Sequence, residues 1–232
     1  MTHKKRLLML FFTLCPLFSI NNQSLTSQPF YLTCLFSQGY NIRSQVFDRC
    51  IASGDSYLDI MHGLQQYIAM GFPPSKLYSG VSFTGQSWIC VPSPLTGEKA
   101  KDDTDVCFVG MLGGDGFRGV NCSDATGFII NYDAANRILR KKDEIGVAVT
   151  SKRFEQYMKS SYFNWIRKED GELIQTWLKD VESLSPIYAA AKKLGLGGIG
   201  IWLTTNLDYS SNVESQEYKD SQQMWEAFDI LK

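Results

Sequence analysis

Histidine is almost missing: the chain of 232 residues has two, His3 and His62. Chemistry that needs several imidazoles is thereby excluded. No Cys-x-x-Cys pair is present either, so a zinc-ligand pattern is lacking. Charge of one sign is lacking too: 23 Lys+Arg against 24 Asp+Glu leave a formal charge of -1. That balance argues against a broad basic face for nucleic acid. After the N-terminus no apolar run reaches the ~18 residues of a membrane span. No internal repeat of solenoid length is found. What the chain does have is 44% hydrophobic and 13% aromatic residues, enough for a packed core of one large or two small domains.

The N-terminus is basic and then apolar. Residues 3–6 carry the charge, and residues 7–20, with Pro16 inside, are of signal-peptide length. Residues 1–20 are therefore expected to be a secretory signal. A buried strand or helix, or a start codon placed too far upstream, are the alternatives, and no A-x-A-like cleavage site stands out. The six cysteines are Cys15, Cys34, Cys50, Cys90, Cys107 and Cys122. Removing Cys15 with a signal leaves an odd thiol. If the chain is secreted, Asn22-Gln23-Ser24 and Asn121-Cys122-Ser123 are glycosylation acceptors, although such tripeptides also arise by chance.

Apolar spacing predicts a strand over 30–40 and a helix over 56–70, with Ile60, Leu64, Tyr67 and Ile68 on one face. Gly71 and Pro73-Pro74 end that helix, and a strand over 77–83 follows. The stretch 87–131 reads as irregular and long enough to need disulfide staples. Short helices are expected over 133–142 and 152–159. A hairpin is expected from 162–166 and 172–177 around Asp170-Gly171. Ser185-Pro186 reads as a helix start, with the stop at Gly195. A strand over 198–203 and a helix over 217–231 close the chain. The order points to parallel α/β architecture with an α+β insertion over about 87–180.

Several motifs fail on context. Gly195-Leu196-Gly197-Gly198-Ile199-Gly200 spells a dinucleotide fingerprint, but a helix precedes it and a strand follows, the reverse of what a pyrophosphate site needs. Gly80-Val81-Ser82-Phe83-Thr84-Gly85 has one residue too many for a nucleophile elbow, and His62 lies upstream of it. His62 itself reads as a surface or satisfied core histidine. Asp102, Asp103 and Asp105 lack the glycine and terminal glutamate of a calcium loop, so they read as a solvated loop.

The stretch Lys76-Leu77-Tyr78-Ser79-Gly80-Val81-Ser82-Phe83-Thr84-Gly85 resembles the seventh strand of glycoside hydrolase family 18. The resemblance is nearest to the di-N-acetylchitobiase subgroup, a lysosomal group. In the same order follow Cys50-Ile51-Ala52, Gly63-Leu64-Gln65-Gln66-Tyr67-Ile68, Phe117-Arg118-Gly119 and Cys122-Ser123-Asp124-Ala125. Gly198-Ile199-Gly200-Ile201-Trp202, Leu207-Asp208-Tyr209-Ser210 and Met224-Trp225 complete the set, over about residues 36–232. The resemblance implies a (β/α)8 TIM barrel with its site at the C-terminal strand ends. It makes 30–40, 77–83 and 198–203 strands six to eight, a partial barrel with its insertion after the seventh strand.

It also implies substrate-assisted cleavage of β-1,4-linked N-acetylglucosamine oligosaccharides. A Glu protonates the glycosidic oxygen while the substrate's own acetamide attacks. That Glu ends a D-x-x-D-x-D-x-E motif, which this sequence does not contain. Asp102-x-x-Asp105 begins like it, then continues with Cys107 and Val109. Tyr40 matches the tyrosine that supports the acetamide. Asn41 stands where the family has aspartate, and Gln38 departs as well. Trp202 matches the tryptophan beneath the sugar. Without the resemblance Trp202 reads as core and Tyr40 as a strand-end tyrosine. Trp177 either lines the cleft or packs the hairpin. Ser82 and Thr84 replace the subgroup's proline and tyrosine.

The expectation is a chitobiase-like glycoside hydrolase that is truncated and lacks its acid, or a non-catalytic carbohydrate binder. The partner is an N-acetylglucosamine oligosaccharide. No cofactor, metal, nucleic acid or stable membrane insertion is implied. Three barrel strands leave two open edges, which favours self-association. From loop location alone, Cys90–Cys107 and Cys50–Cys122 are expected disulfides, with a lysosomal or secreted location.

Overall fold

The computed structural model describes residues 33–35, 42–46, 49–110, 127–202, 204–210 and 212–232. All of these lie in one compact unit. In chain order the elements begin with β1 (Thr33–Leu35), β2 (Ile42–Val46), β3 (Arg49–Ala52), α1 (Tyr57–Ala69), β4 (Leu77–Ser82), β5 (Thr84–Val91), β6 (Phe108–Val109) and β7 (Gly127–Asn131). Next come α2 (Tyr132–Leu139), β8 (Gly146–Ala148), β9 (Arg153–Glu155), β10 (Ser160–Arg167), β11 (Leu173–Leu178), α3 (Val181–Leu194), β12 (Gly198–Trp202) and α4 (Gln216–Glu226).

Two sheets form. The first is parallel, in the order β1-β4-β12. The second is antiparallel, and most of it lies between β4 and β12 in the chain, but β2 and β3 precede β4 and join it through β6. There β5 pairs with β7, β11 and β6, and β11 continues to β10 and β8. The register Trp165↔Ile174 and Ser161↔Leu178 closes a hairpin whose turn holds Gly171 at φ 74°.

Parallel strands joined by a helix are what the order strand, helix, strand anticipates. Helix α1 starts where Ser56 Oγ accepts the Asp59 amide and ends at Gly71, φ 93°. At the far end of α3, Gly195 takes φ 67° and closes the helix. A left-handed residue here favours glycine, because a Cβ would crowd the following carbonyl.

Four expectations need correction. The stretch 87–131 is not bare: it holds most of β5, with β6 and β7. Strands β10 and β11 show hardly any period-two burial. Both of their faces are covered, which erases the alternation that marks a half-buried strand. Residues 152–159 form β9 and a turn, not a helix, because Phe154 pairs with Ser161 across the sheet. Helix α3 starts at Val181, not at Ser185. Asp180 Oδ1 takes both the Ser183 amide (2.9 Å) and its hydroxyl (2.8 Å), a stronger cap than Ser185, and Pro186 lies inside the helix. The last helix also ends early, turning to 3-10 geometry over Ala227–Leu231. Of the expected strand 30–40, only β1 falls within the described residues.

The main core runs through both sheets. Ile60 and Leu64 of α1, Val81 and Phe83, Phe163 and Trp165, Ile187 and Tyr188 and Met224 belong to one cluster. A second cluster covers the opposite face of the antiparallel sheet, with Ala52, Trp88, Tyr162 and Trp177. Polar groups buried in this sheet satisfy one another. Trp165 Nε1 donates to Thr176 Oγ1 (2.8 Å), which also meets Ser87 Oγ (2.7 Å). Gln175 accepts from Trp177 Nε1 (2.9 Å) and donates to Asn164 Oδ1 (3.2 Å). Buried polar groups are tolerated on this condition.

Candidate functional site

Strands β4 and β12 run in the same direction and end together, with Trp202 opposite Ser82. Side chains alternate across a strand. Val81, Ile199 and Ile201 pack into the main core. Ser82 and Trp202 therefore share the other face, where Gly200 lies opposite Gly80. The face is low at Gly80 and Gly200, with the indole at its C-terminal end and the Tyr78 ring against Gly198 at the other. Trp202 is 43% exposed. Core packing, the reading without the resemblance, does not describe it.

Behind this edge the chain is held firmly. Phe83 is buried and meets Trp225 edge-on at 5.7 Å. Ser82 Oγ and Thr84 Oγ1 lie 2.8 Å apart. After β12, a single 3-10 turn, Thr204–Asn206, leads to the buried Leu207. The Asp208 amide donates to Ser221 Oγ of α4 (2.9 Å). The Asp208 carboxylate accepts from the Ser210 amide (2.7 Å) and hydroxyl (3.1 Å). Asp208 thus fixes a loop.

An ion pair ties the antiparallel region to the segment after β3. Lys179 Nζ meets Asp55 Oδ2, with both side chains nearly buried. Burial by itself pulls the Lys179 ammonium down to about 7. The adjacent carboxylate works against this by favouring the charged form. Next to it, Lys152 Nζ contacts Asp180 Oδ2 at 2.5 Å. Burial opposes the charge on Lys152, but Asp180 outweighs it and raises the ammonium above its usual value. Sequence reasoning missed the Lys179 pair, because a Lys-Asp doublet after an apolar strand looks like an ordinary exposed strand end.

The remaining candidates sort as follows. Trp177 is 1% exposed and stacks on Tyr162 at 4.7 Å, so it packs the hairpin. His62 is an exposed helix residue beside Gln66 Nε2 (3.1 Å). The acidic run is partly a clamp. Asp105 takes Arg153 Nη1 and the Tyr162 hydroxyl, both at 2.6 Å, while Asn164 Nδ2 donates to the Asp102 and Thr104 carbonyls. Among the described residues no group of three His, Cys, Asp or Glu could hold a metal ion. Nor is any helix there long and apolar enough to cross a membrane. Cys90 and Cys107 form a disulfide, as expected from their loops. Tyr40, Asn41, Asn22, Asn121 and the Cys50–Cys122 pairing lie outside the described residues.

Curated relatives match most of this chain. Di-N-acetylchitobiase of Rattus norvegicus is 32% identical over 194 residues, covering 83% of this chain and 47% of the relative. Probable di-N-acetylchitobiase 2 of Dictyostelium discoideum is 30% identical over 196 residues, with the same coverage of both chains. The chain spans about half the length of these relatives. The fold is shared with the C-terminal domain of a protein assigned as a chitinase in Desulfitobacterium hafniense DCB-2. There the TM-score is 0.52 at 13% identity, covering 88% of this chain and 47% of that one. It is also shared with the spore cortex-lytic enzyme SleL of Bacillus cereus, at TM-score 0.50 and 16% identity, covering 87% of this chain and 34% of that one. The family model for glycosyl hydrolases family 18 matches residues 37–206. With β4 and β12 inside that match and Trp202 at their common end, the chain belongs to glycosyl hydrolases family 18.

Proposed function

We propose that this chain binds oligosaccharides of β-1,4-linked N-acetylglucosamine at the C-terminal ends of its parallel strands, and that by itself it does not cleave them. The carrying observation is Trp202, 43% exposed at the end of β12 and level with the end of β4. A flat indole at such an edge suits the apolar C–H face of a sugar, and covering it removes apolar area from water. The relatives named di-N-acetylchitobiase support the glycan class.

On this reading β1, β4 and β12 are strands six to eight of a (β/α)8 barrel, and residues 87–180 are an insertion after the seventh. The resemblance also assigns Tyr40 and Asn41 to the sugar site, with Asn41 carrying an amide where the family has a charge. Cleavage in this family needs a carboxylic acid to protonate the leaving oxygen. The sequence contains no D-x-x-D-x-D-x-E stretch, and Asp105, its nearest approach, is engaged by Arg153 and Tyr162. The Cys90–Cys107 bridge fits an oxidising compartment, so the reading includes a secreted or lysosomal location.

The test is calorimetric titration of the purified chain with the N-acetylglucosamine disaccharide and tetrasaccharide, beside a chromogenic chitobioside assay. Saturable binding without turnover is expected. Trp202→Ala should weaken binding roughly ten-fold, the size of a lost aromatic stacking surface. Unchanged binding by W202A would overturn the site. Turnover lost on changing Asp102 or Asp105 would overturn the absence of cleavage.

A further inference from the structure

Asp170-Gly171 forms the exposed tip of the β10–β11 hairpin. An aspartate followed by glycine is the least hindered pair for one reaction of the chain with itself. The glycine nitrogen attacks the aspartate side-chain carboxyl and closes a succinimide ring. A bond forms between Gly171 N and Asp170 Cγ, and one Cγ–O bond breaks. That oxygen leaves as water, taking the carboxyl proton and the amide proton. Water then reopens the ring at either carbonyl, restoring aspartate or giving isoaspartate, in which the main chain runs through Cγ. No reagent other than water is needed. Gly171 offers no steric obstacle, since even an added Cβ there would meet nothing within 4 Å.

Both reacting groups are engaged by one residue, Arg167. Its Nε donates to Asp170 Oδ1 (2.9 Å) and its Nη2 to Oδ2, a two-pronged charged pair. The Arg167 guanidinium holds the Asp170 carboxyl below its usual range. Glu169 and Glu172 are the other carboxylates acting on Arg167, and both favour its charge. An ionised carboxyl is a poor electrophile, because the oxygen would have to leave with a charge and no proton. Oδ1 also accepts the Glu172 amide (3.2 Å), a bond that aspartate favours in turns. The attacking group is tied as well: the Gly171 amide donates to the Arg167 carbonyl (2.9 Å). Arg167 is anchored in turn, its own amide donating to the Glu172 carbonyl (3.0 Å). Ring closure must break the bonds at both ends, and reaction between neighbouring groups depends steeply on their orientation.

We infer that Asp170-Gly171 is an aspartyl isomerisation site that Arg167 keeps closed, by gripping the carboxylate with its guanidinium and the attacking amide with its carbonyl. Isoaspartate adds one main-chain atom at the turn that sets the β10–β11 register. Those strands carry Trp165 into the main core and Trp177 into the second. A reaction at an exposed tip thus reaches both faces of the sheet.

The experiment is prolonged incubation of the purified chain in mildly acidic buffer, followed by peptide mapping that separates aspartate, succinimide and isoaspartate at residue 170. The wild type is compared with Arg167→Gln, Arg167→Lys and Lys168→Ala, and with itself unfolded in urea. Circular dichroism and melting confirm that each variant is folded. The other Asp-Gly pair of the sequence, Asp115-Gly116, reports on the conditions and should convert equally in all the folded samples. R167Q should convert Asp170 at least about five-fold faster than wild type, because the held geometry is lost. R167K keeps a charge without the fork and should fall between the two. K168A removes only the bond from Lys168 Nζ to the Asp143 carbonyl (2.9 Å), next to the turn. It should stay within about two-fold of wild type, as surface substitutions away from the reacting groups do. Three results overturn the inference. They are R167Q no faster than wild type, K168A as fast as R167Q, or folded wild type converting at Asp170 as fast as the unfolded chain. If R167Q does not fold, R167K decides, and a rate equal to wild type overturns the inference.

Discussion

Two glycines separate the two reasons a side chain is refused. At Gly146 an added Cβ would lie 2.1 Å from the Trp165 ring and 2.9 Å from the Ile166 carbonyl. Trp165 is 1% exposed and fixed by Thr176, so neither neighbour can yield. At Gly195 nothing lies within 4 Å of the added atom, and only φ 67° stands against it. Gly146→Ala should therefore cost about 2–3 kcal/mol through overpacking, and Gly195→Ala only about 1 kcal/mol through backbone conformation. Urea denaturation of both variants checks the order, and the reverse order would refute the packing account. The sequence shows Gly195 as a helix stop, because a local pattern ends there. Nothing local marks Gly146, since its constraint comes from a tryptophan on another strand. The site has the same division. Trp202 is legible through a run of matched residues, whereas the nearly buried Lys179–Asp55 pair appears only once the chain is folded.

At the scale of elements, α2 and α4 are joined by Arg140, which contacts Glu217 at 2.9 Å and Asp220 at 2.6 Å. The Glu217 carboxyl is held below the usual carboxylate range, first by its own backbone amide and then by Arg140, with burial opposing. A carboxyl whose folded pKa is lowered adds stability above its unfolded value of about 4.3, and that stability is lost as pH falls through the folded value. Glu217→Gln should flatten the loss of stability as pH falls below about 4.3, by no more than about 1 kcal/mol for so accessible a pair. Denaturation midpoints at successive pH values measure this, and an unchanged slope would remove Glu217 from the account. Element type was legible where one face is wet, as in α1, or where a turn is marked, as at Asp170-Gly171. It was not legible for β5 and β9. In β5, burial at most positions leaves no period to read, and β9 is three half-buried residues whose pairing with β10 decides the structure.

For the molecule as a whole, the outer strands of the parallel sheet, β1 and β12, each have one ladder partner among the described residues. Unpaired strand edges recruit other chains. Light scattering during size-exclusion chromatography should therefore give a mass that rises with concentration above the 26.2 kDa of one chain. A constant single-chain mass at every concentration would refute edge pairing. The parallel order was legible from the strand–helix–strand pattern, but the count of strands in a barrel came only from the resemblance.

The larger part of the antiparallel sheet, β5 to β11, leaves the parallel sheet after Ser82 and ends at α3. Yet Phe163 and Trp165 sit in the same cluster as Val81 and Leu64. Excising it as a cassette, or grafting it onto another scaffold, would tear open the hydrophobic interior on both sides of the cut. Engineering must therefore move the two parts together, as one indivisible piece.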